Sequence, residues 1–171
     1  RQLKEMGFVG VQNFPTVGLI DGVFRQNLEE TGMGFDLEIE MIRQAHELDL
    51  LTAPYVFDPE QARAMAEAGA DVLVPHLGLT TKGMIGAKTA VTLDEAVERV
   101  QAMCDAAKAV NPEILVLCHG GPIAEPEDVQ YVLERTRGVV GFFGASSVER
   151  LPTERAMTEN MLRFKGLRRP A

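Results

Sequence analysis

Two histidines stand at the ends of apolar runs: His76 in Val74-Pro75-His76-Leu77-Gly78 and His119 in Leu117-Cys118-His119-Gly120-Gly121. An imidazole changes charge near neutral pH, so a histidine at the end of a buried strand can serve as general acid, general base or metal ligand. One such residue is commonly a hydrogen-bonded core side chain. Two at equivalent positions, on what read as two non-adjacent strands, point to chemistry. The third histidine, His46, lies in an amphipathic helical pattern among charged residues and is given no role.

Two glycine-rich segments follow the last two apolar runs, Cys118-His119-Gly120-Gly121-Pro122-Ile123 and Gly144-Ala145-Ser146-Ser147-Val148-Glu149-Arg150. Glycine lets the backbone approach an anion, and N–H groups at a helix start point at it. Gly120, Gly121, Gly144, Ser146 and Ser147 are therefore expected to form an anion cradle, with Arg150 as counter-charge. The alternative is that the glycines only make tight turns and the serines only cap a helix. Asn13, at the end of the first apolar run, and Thr80 and Lys88, in the long Gly78–Thr89 connection, are further candidates for a carboxylate or phosphate. Asp21 and Arg25 lie further out and are weaker candidates. Tyr55 and Phe57 are expected to wall a pocket rather than react. Cys104 and Cys118 show no ligand spacing and read as core residues in a reducing compartment. No phosphate-binding G-x-x-x-x-G-K-[ST], no H-E-x-x-H and no G-x-S-x-G is present, so NTPase, zincin and serine-hydrolase readings lack support.

The elements that must hold these groups are legible as five apolar runs, at 8–11, 50–56, 72–74, 114–118 and 139–143. Continuous apolarity marks strands buried on both faces, as in a parallel sheet. Helical periodicity lies between them: Leu37, Met41, Ala45 and Leu48 on one stripe, and Leu93, Ala96, Val97, Val100, Met103, Cys104 and Ala107 on a longer one. Asp58-Pro59, Thr92-Leu93-Asp94-Glu95, Glu125-Pro126 and Pro152-Thr153-Glu154 read as helix starts, and Gly69 and Gly138 as helix stops before the next strand. Arg1 to Gly7 reads as the end of a helix closed by glycine. A long loop is expected to delay the first unit's helix, and a last helix is expected over about Thr153 to Lys165, followed by a frayed basic tail from Gly166 to Ala171.

The expected fold is α/β: a parallel (β/α)8 barrel represented by its C-terminal five βα units, with residues 1–171 as one part of a single domain and about three units preceding it. An open, doubly wound sheet of flavodoxin type is the alternative. A barrel is favoured because polar and glycine-rich residues follow every strand, and because no strand reads as a polar edge. With 46% hydrophobic residues the chain is an ordinary globular protein. Its 17 Lys+Arg against 25 Asp+Glu give a net charge of −8, which disfavours nucleic acid or an anionic membrane as partner. No apolar run approaches the ~18 residues of a membrane span, and no signal peptide is read, so a cytoplasmic location is expected. A homo-oligomer acting on a small anionic substrate completes the expectation.

Five strand-exit segments, taken together and in order, resemble a known family. They are Gly10-Val11-Gln12-Asn13-Phe14-Pro15-Thr16, Gly78-Leu79-Thr80-Thr81, Ile85-Gly86-Ala87-Lys88-Thr89, Cys118–Ile123 and Gly144–Pro152. The family is the phosphoenolpyruvate hydrolase-like TIM barrels, also labelled signal-transduction TIM barrels. Its barrel is similar to the C-terminal part of a plant tobamovirus-resistance protein, and it is grouped with the phosphoenolpyruvate mutase and isocitrate lyase superfamily. The resemblance implies hydrolase or lyase chemistry on a phosphorylated or carboxylated pyruvate-like substrate. It also implies Mg2+, held by acidic residues on early barrel strands. The lid motif with a reactive cysteine that typifies the lyases is not visible in this chain. The alternative function is a non-catalytic barrel that senses a metabolite or binds a protein in signalling, and a third reading is a piece with no independent activity.

Overall fold

The computed structural model describes residues 1–169. Pro170 and Ala171, the end of the expected basic tail, lie outside the described residues. The chain begins with a short helix, α1 (Gln2–Glu5), closed at Gly7 with φ of 89°. β1 (Gly10–Val11) follows, then a 3-10 turn (Val17–Leu19) and two helices, α2 (Gly22–Glu30) and α3 (Phe35–Glu47). Next come β2 (Leu51–Thr52), β3 (Tyr55–Val56), α4 (Pro59–Glu67), β4 (Val72–Pro75) and α5 (Leu93–Lys108). The chain ends with β5 (Leu115–Cys118), α6 (Pro126–Arg135), β6 (Val139–Phe142) and α7 (Arg150–Lys165).

All strand pairs are parallel, and the order is strictly sequential: β1 beside β2, then β3, β4, β5 and β6 side by side. β2 and β3 are two halves of the expected second strand. The first half bonds backward, Leu51 N–H to Val9 O and Ala53 N–H to Val11 O, while the second bonds forward, Val74 N–H to Pro54 O and His76 N–H to Val56 O. Pro54 sits at the change of partner, where its lack of an N–H costs no ladder bond.

Sequential order removes the doubly wound alternative, which needs a switch point and helices on both faces. Here α3, α4, α5 and α6 cover one face. The main core joins Leu73, Val116 and Cys118 of the strands to Ile42 of α3, Met65 of α4, Val100 and Met103 of α5 and Val132 of α6. On the opposite face, Tyr55, Val72 and Val74 pack with Ala53, Phe57, Leu117 and Phe143, all from strands and their exits. A parallel sheet with helices outside and side chains alone inside is a segment of a (β/α) barrel. The inner-face residues Leu51 and Leu115 are 53% and 51% exposed, against the expectation that every strand is fully buried.

Three local expectations are corrected. The long loop after β1 contains α2, a helix that buries no residue and leaves Val23 and Phe24 exposed. Its signals were local: Asp21 before the helix and i,i+4 pairs such as Arg25–Glu29 at 2.7 Å. On α3 the buried residues are Phe35, Ile42 and Ala45, whereas Leu37 is exposed. α7 starts at Arg150 rather than near Thr153, with Pro152 inside its first turn, where a missing N–H leaves no bond unmade. The other starts stand as expected: Asp58 Oδ1 accepts from Gln61 N–H at 2.7 Å, and Thr92 with Glu95 forms a capping box. No helix among the described residues is long and apolar enough to cross a membrane.

Candidate active site

Parallel strands deliver their exits to one end of the sheet, and there a cavity of about 400 Å3 opens. Its walls are Phe14, Tyr55, Phe143 and Leu79, with His76 and His119 between them and Gln12, Thr80, Ser146 and Glu149 as the remaining polar side chains. The volume suits a small molecule.

The two histidines leave adjacent strands, β4 and β5, and pair across the sheet, which corrects the expectation of non-adjacent strands. A single crossover, the 79–91 loop plus α5, joins them. Their ring centroids are 4.7 Å apart at 69°, and both rings are buried. Tyr55 stacks on His119 at 5.0 Å and meets His76 edge-on at 4.8 Å, while Phe57 packs on His76 at 5.1 Å. Burial, then the neighbouring His119, pushes the His76 imidazole down to about 4. Burial also lowers His119, although the Phe143 carbonyl opposes it. Both rings are therefore neutral at pH 7, each with one nitrogen that donates and one that accepts a hydrogen bond. Burial raises the Cys118 thiol to about 11, so it is an inert core group, as expected.

Asn13 is a structural residue. β1 diverges from its neighbour after Val11, and the Asn13 amide continues the ladder in place of backbone. Its Oδ1 accepts from Tyr55 N–H at 2.7 Å, and its Nδ2 donates to Tyr55 O at 3.1 Å. The same Nδ2 donates to Glu38 Oε2 at 2.6 Å, and Glu38 also accepts from Thr16 Oγ1 and Val17 N–H at 2.7 and 2.8 Å. This network, which the sequence reading missed, holds Gln12, Phe14 and Tyr55 at the cavity. Asn13→Ala leaves the backbone groups of Tyr55 unpaired in a buried place. It is expected to cost about 2 kcal/mol, read as a lower denaturant midpoint with unchanged slope.

The expected anion cradle does not form as one unit. Gly120 and Gly121 are buried, with φ of 78° and 57°, and they seal the β4 and β5 exits together: Gly121 N–H donates to Gly78 O at 2.7 Å, and Thr81 N–H to Gly121 O at 3.0 Å. Ser146 faces the cavity, whereas Ser147 lines a separate apolar groove with Val129, Phe142 and Val148. Gly144 is exposed. Arg150 turns away, pairing with Glu154 at 2.9 Å and donating to Lys82 O, while Glu154 accepts from Met84 N–H at 2.8 Å. With Lys82–Asp128 at 2.6 Å, these bonds fasten the 79–91 loop over the exits. Within that loop Thr80 reaches the cavity and Lys88 is exposed. Arg25 donates to Glu29 and to Val17 O. What remains for an anion is the turn after β6, where the N–H groups of Ala145, Ser146 and Ser147 donate to no group among the described residues.

The Mg2+ implied by the family resemblance needs several hard oxygen donors in near-octahedral geometry. The cavity offers one carboxylate, Glu149, beside two imidazoles and the Gln12 amide. Among the described residues no three His, Cys, Asp or Glu side chains converge on one point. These residues do not fit Mg2+.

Comparison with known proteins yields a family and a fold. The family model described as phosphoenolpyruvate hydrolase-like matches residues 1–167. The chain is 63% identical over 167 residues to the ToMV susceptible protein tm-1(GCR26) of Solanum lycopersicum, covering 98% of this chain and 22% of that protein. It is 62% identical, with the same coverage, to the ToMV resistance protein Tm-1(GCR237) of the same plant. The chain thus spans about a fifth of the length of these relatives. A crystal structure assigned to a phosphonomutase from Burkholderia cenocepacia superposes with a TM-score of 0.51 at 14% identity, covering 90% of this chain and 69% of the other. That likeness is one of fold.

Proposed function

The chain belongs to the phosphoenolpyruvate hydrolase-like family, and from that premise we propose that its strand-exit cavity is an enzyme site for a small carboxylated or phosphorylated, pyruvate-like acid. Hydrolase or lyase chemistry is its reaction type, with His76 and His119 as the catalytic residues. The observation that carries this reading is the pair of neutral imidazoles side by side in one aromatic-walled cavity. Each has one ring nitrogen hydrogen-bonded to the backbone and lines the cavity with the rest of the ring. The acid's negative end binds the free N–H groups of Ala145 to Ser147, with the Thr80 and Ser146 hydroxyls beside it. Residues 1–171 form the C-terminal part of a single barrel domain in a cytoplasmic homo-oligomer. The exposed inner-face leucines, Leu51 and Leu115, support the first part of that statement.

The test is thermal shift of the intact protein with phosphoenolpyruvate, oxaloacetate and related acids, with and without Mg2+, followed by product detection for each binder. Stabilisation with turnover that falls about 100-fold or more in His119→Gln is the expected result. Turnover unchanged by that substitution removes the histidine from the chemistry. A second reading has a specific motive: the tomato relatives are named for susceptibility and resistance to ToMV. In that case the barrel binds a metabolite or a protein without turning it over, and binding with no product is its signature.

A further inference from the structure

The two histidines are joined to different kinds of backbone group. Gly78 N–H donates to His76 Nδ1 at 3.0 Å. A nitrogen that accepts a hydrogen bond carries a lone pair, so the proton of the neutral ring lies on Nε2. His119 Nδ1 lies 2.7 Å from the Phe143 carbonyl oxygen, which can only accept. Here Nδ1 carries the proton and Nε2 keeps the lone pair.

We propose that these backbone contacts lock the pair in opposite tautomers, which assigns unequal roles: His119 Nε2 is the proton acceptor of the site and His76 Nε2–H is the hydrogen-bond donor. The assignment rests on the function proposed above for what it acts on, and on the hydrogen bonds alone for its geometry. Both contacts come from rigid parts of the fold. Gly78, with φ of 106°, is held by Gly121 N–H at 2.7 Å, and Phe143 N–H donates to Cys118 O at 3.0 Å, extending the β5–β6 ladder. Tyr55 packs on both rings and hinders the ring flips that would exchange the nitrogens.

In the step this permits, a bond between hydrogen and a substrate atom breaks, its electron pair stays on that atom, and the proton joins His119 Nε2. The negative charge that develops on the substrate is met by His76 Nε2–H, which keeps its proton. The imidazolium formed on His119 is stabilised through Nδ1–H by the Phe143 carbonyl. No further reactant is needed, and reversal of the transfer restores both rings.

Long-range 1H–15N correlation of the imidazoles in the ligand-free intact protein at pH 7 tests the tautomers directly. His76 is expected protonated at Nε2 and His119 at Nδ1. The same tautomer in both rings, or exchange averaging of the two nitrogens, overturns the assignment whatever the substrate. For any acid that is turned over, His76→Gln, whose amide keeps an N–H near the Nε2 position but not the ring's place in the pair, is expected to lose about tenfold. His119→Gln, with no basic nitrogen, is expected to lose 100-fold or more. Equal losses in the two variants overturn the unequal roles while leaving the proposed function standing. If no acid binds, the proposed function fails and the NMR result alone decides the tautomers.

Discussion

The two buried histidines are expected to lower stability by about 3 kcal/mol between pH 7 and pH 4. The cause is the same burial that makes the histidines neutral. His76 is held at about 4 against an ordinary 6.5, and His119 is also held low. Between those limits the unfolded chain binds more protons than the folded chain, so stability rises with pH across the window and is lost as pH falls through it. A shift of about 2.5 units at roughly 1.4 kcal/mol per unit sets the size for His76, with His119 adding to it. Urea denaturation at half-unit pH steps reads the slope. In the His76→Gln, His119→Gln double variant the slope between pH 6.5 and 5, above the carboxylate range, should largely vanish. If it persists there, the two imidazoles are not its source.

Gly121→Ala is expected to destabilise the chain by about 3–4 kcal/mol and to disrupt the histidine pair. At φ of 57° an alanine costs about 1–2 kcal/mol in backbone conformation. Its Cβ would also lie 2.5 Å from the Leu77 carbonyl oxygen, a backbone atom that cannot step aside. Relief requires the β4 and β5 exits to separate, at a cost on the order of 2 kcal/mol by analogy with overpacked cores. That separation breaks Gly121 N–H to Gly78 O, and with it the support of the N–H that fixes His76. The measurement is a denaturant midpoint together with the His76 imidazole 15N shifts. Gly7→Ala, which also has positive φ but meets nothing within 4 Å, is the control and should lose only the backbone part.

Much of the architecture was legible from short-range signals. Apolar runs marked every strand, because a strand covered on both faces tolerates few polar side chains, and cap residues such as Asp58 and Thr92 marked helix starts, because the orphan N–H groups there need acceptors. Signals of that kind failed where no burial backed them. α2 buries nothing, and Leu37 gave an apolar position that packing did not use. At the site, the strand-end histidines and the wall residue Tyr55 were visible as residue types. The aromatic partners Phe14 and Phe143 were not, because nothing local distinguishes a cavity wall from core.

What the residues by themselves determined at the opening pair of histidines is their place: each ends an apolar run, and a parallel strand of a barrel carries its exit to the mouth. Their relation was decided by the tertiary structure. Neighbouring strands bring the rings to 4.7 Å, burial keeps both neutral, and a donor N–H against one and a carbonyl against the other make them unlike. Asn13 and Arg150 changed meaning for the same reason, since an amide or a guanidinium takes its role from its partners. Those partners lie 42 residues away across a ladder for Asn13 and 68 away across a loop for Arg150, beyond any spacing a motif can encode.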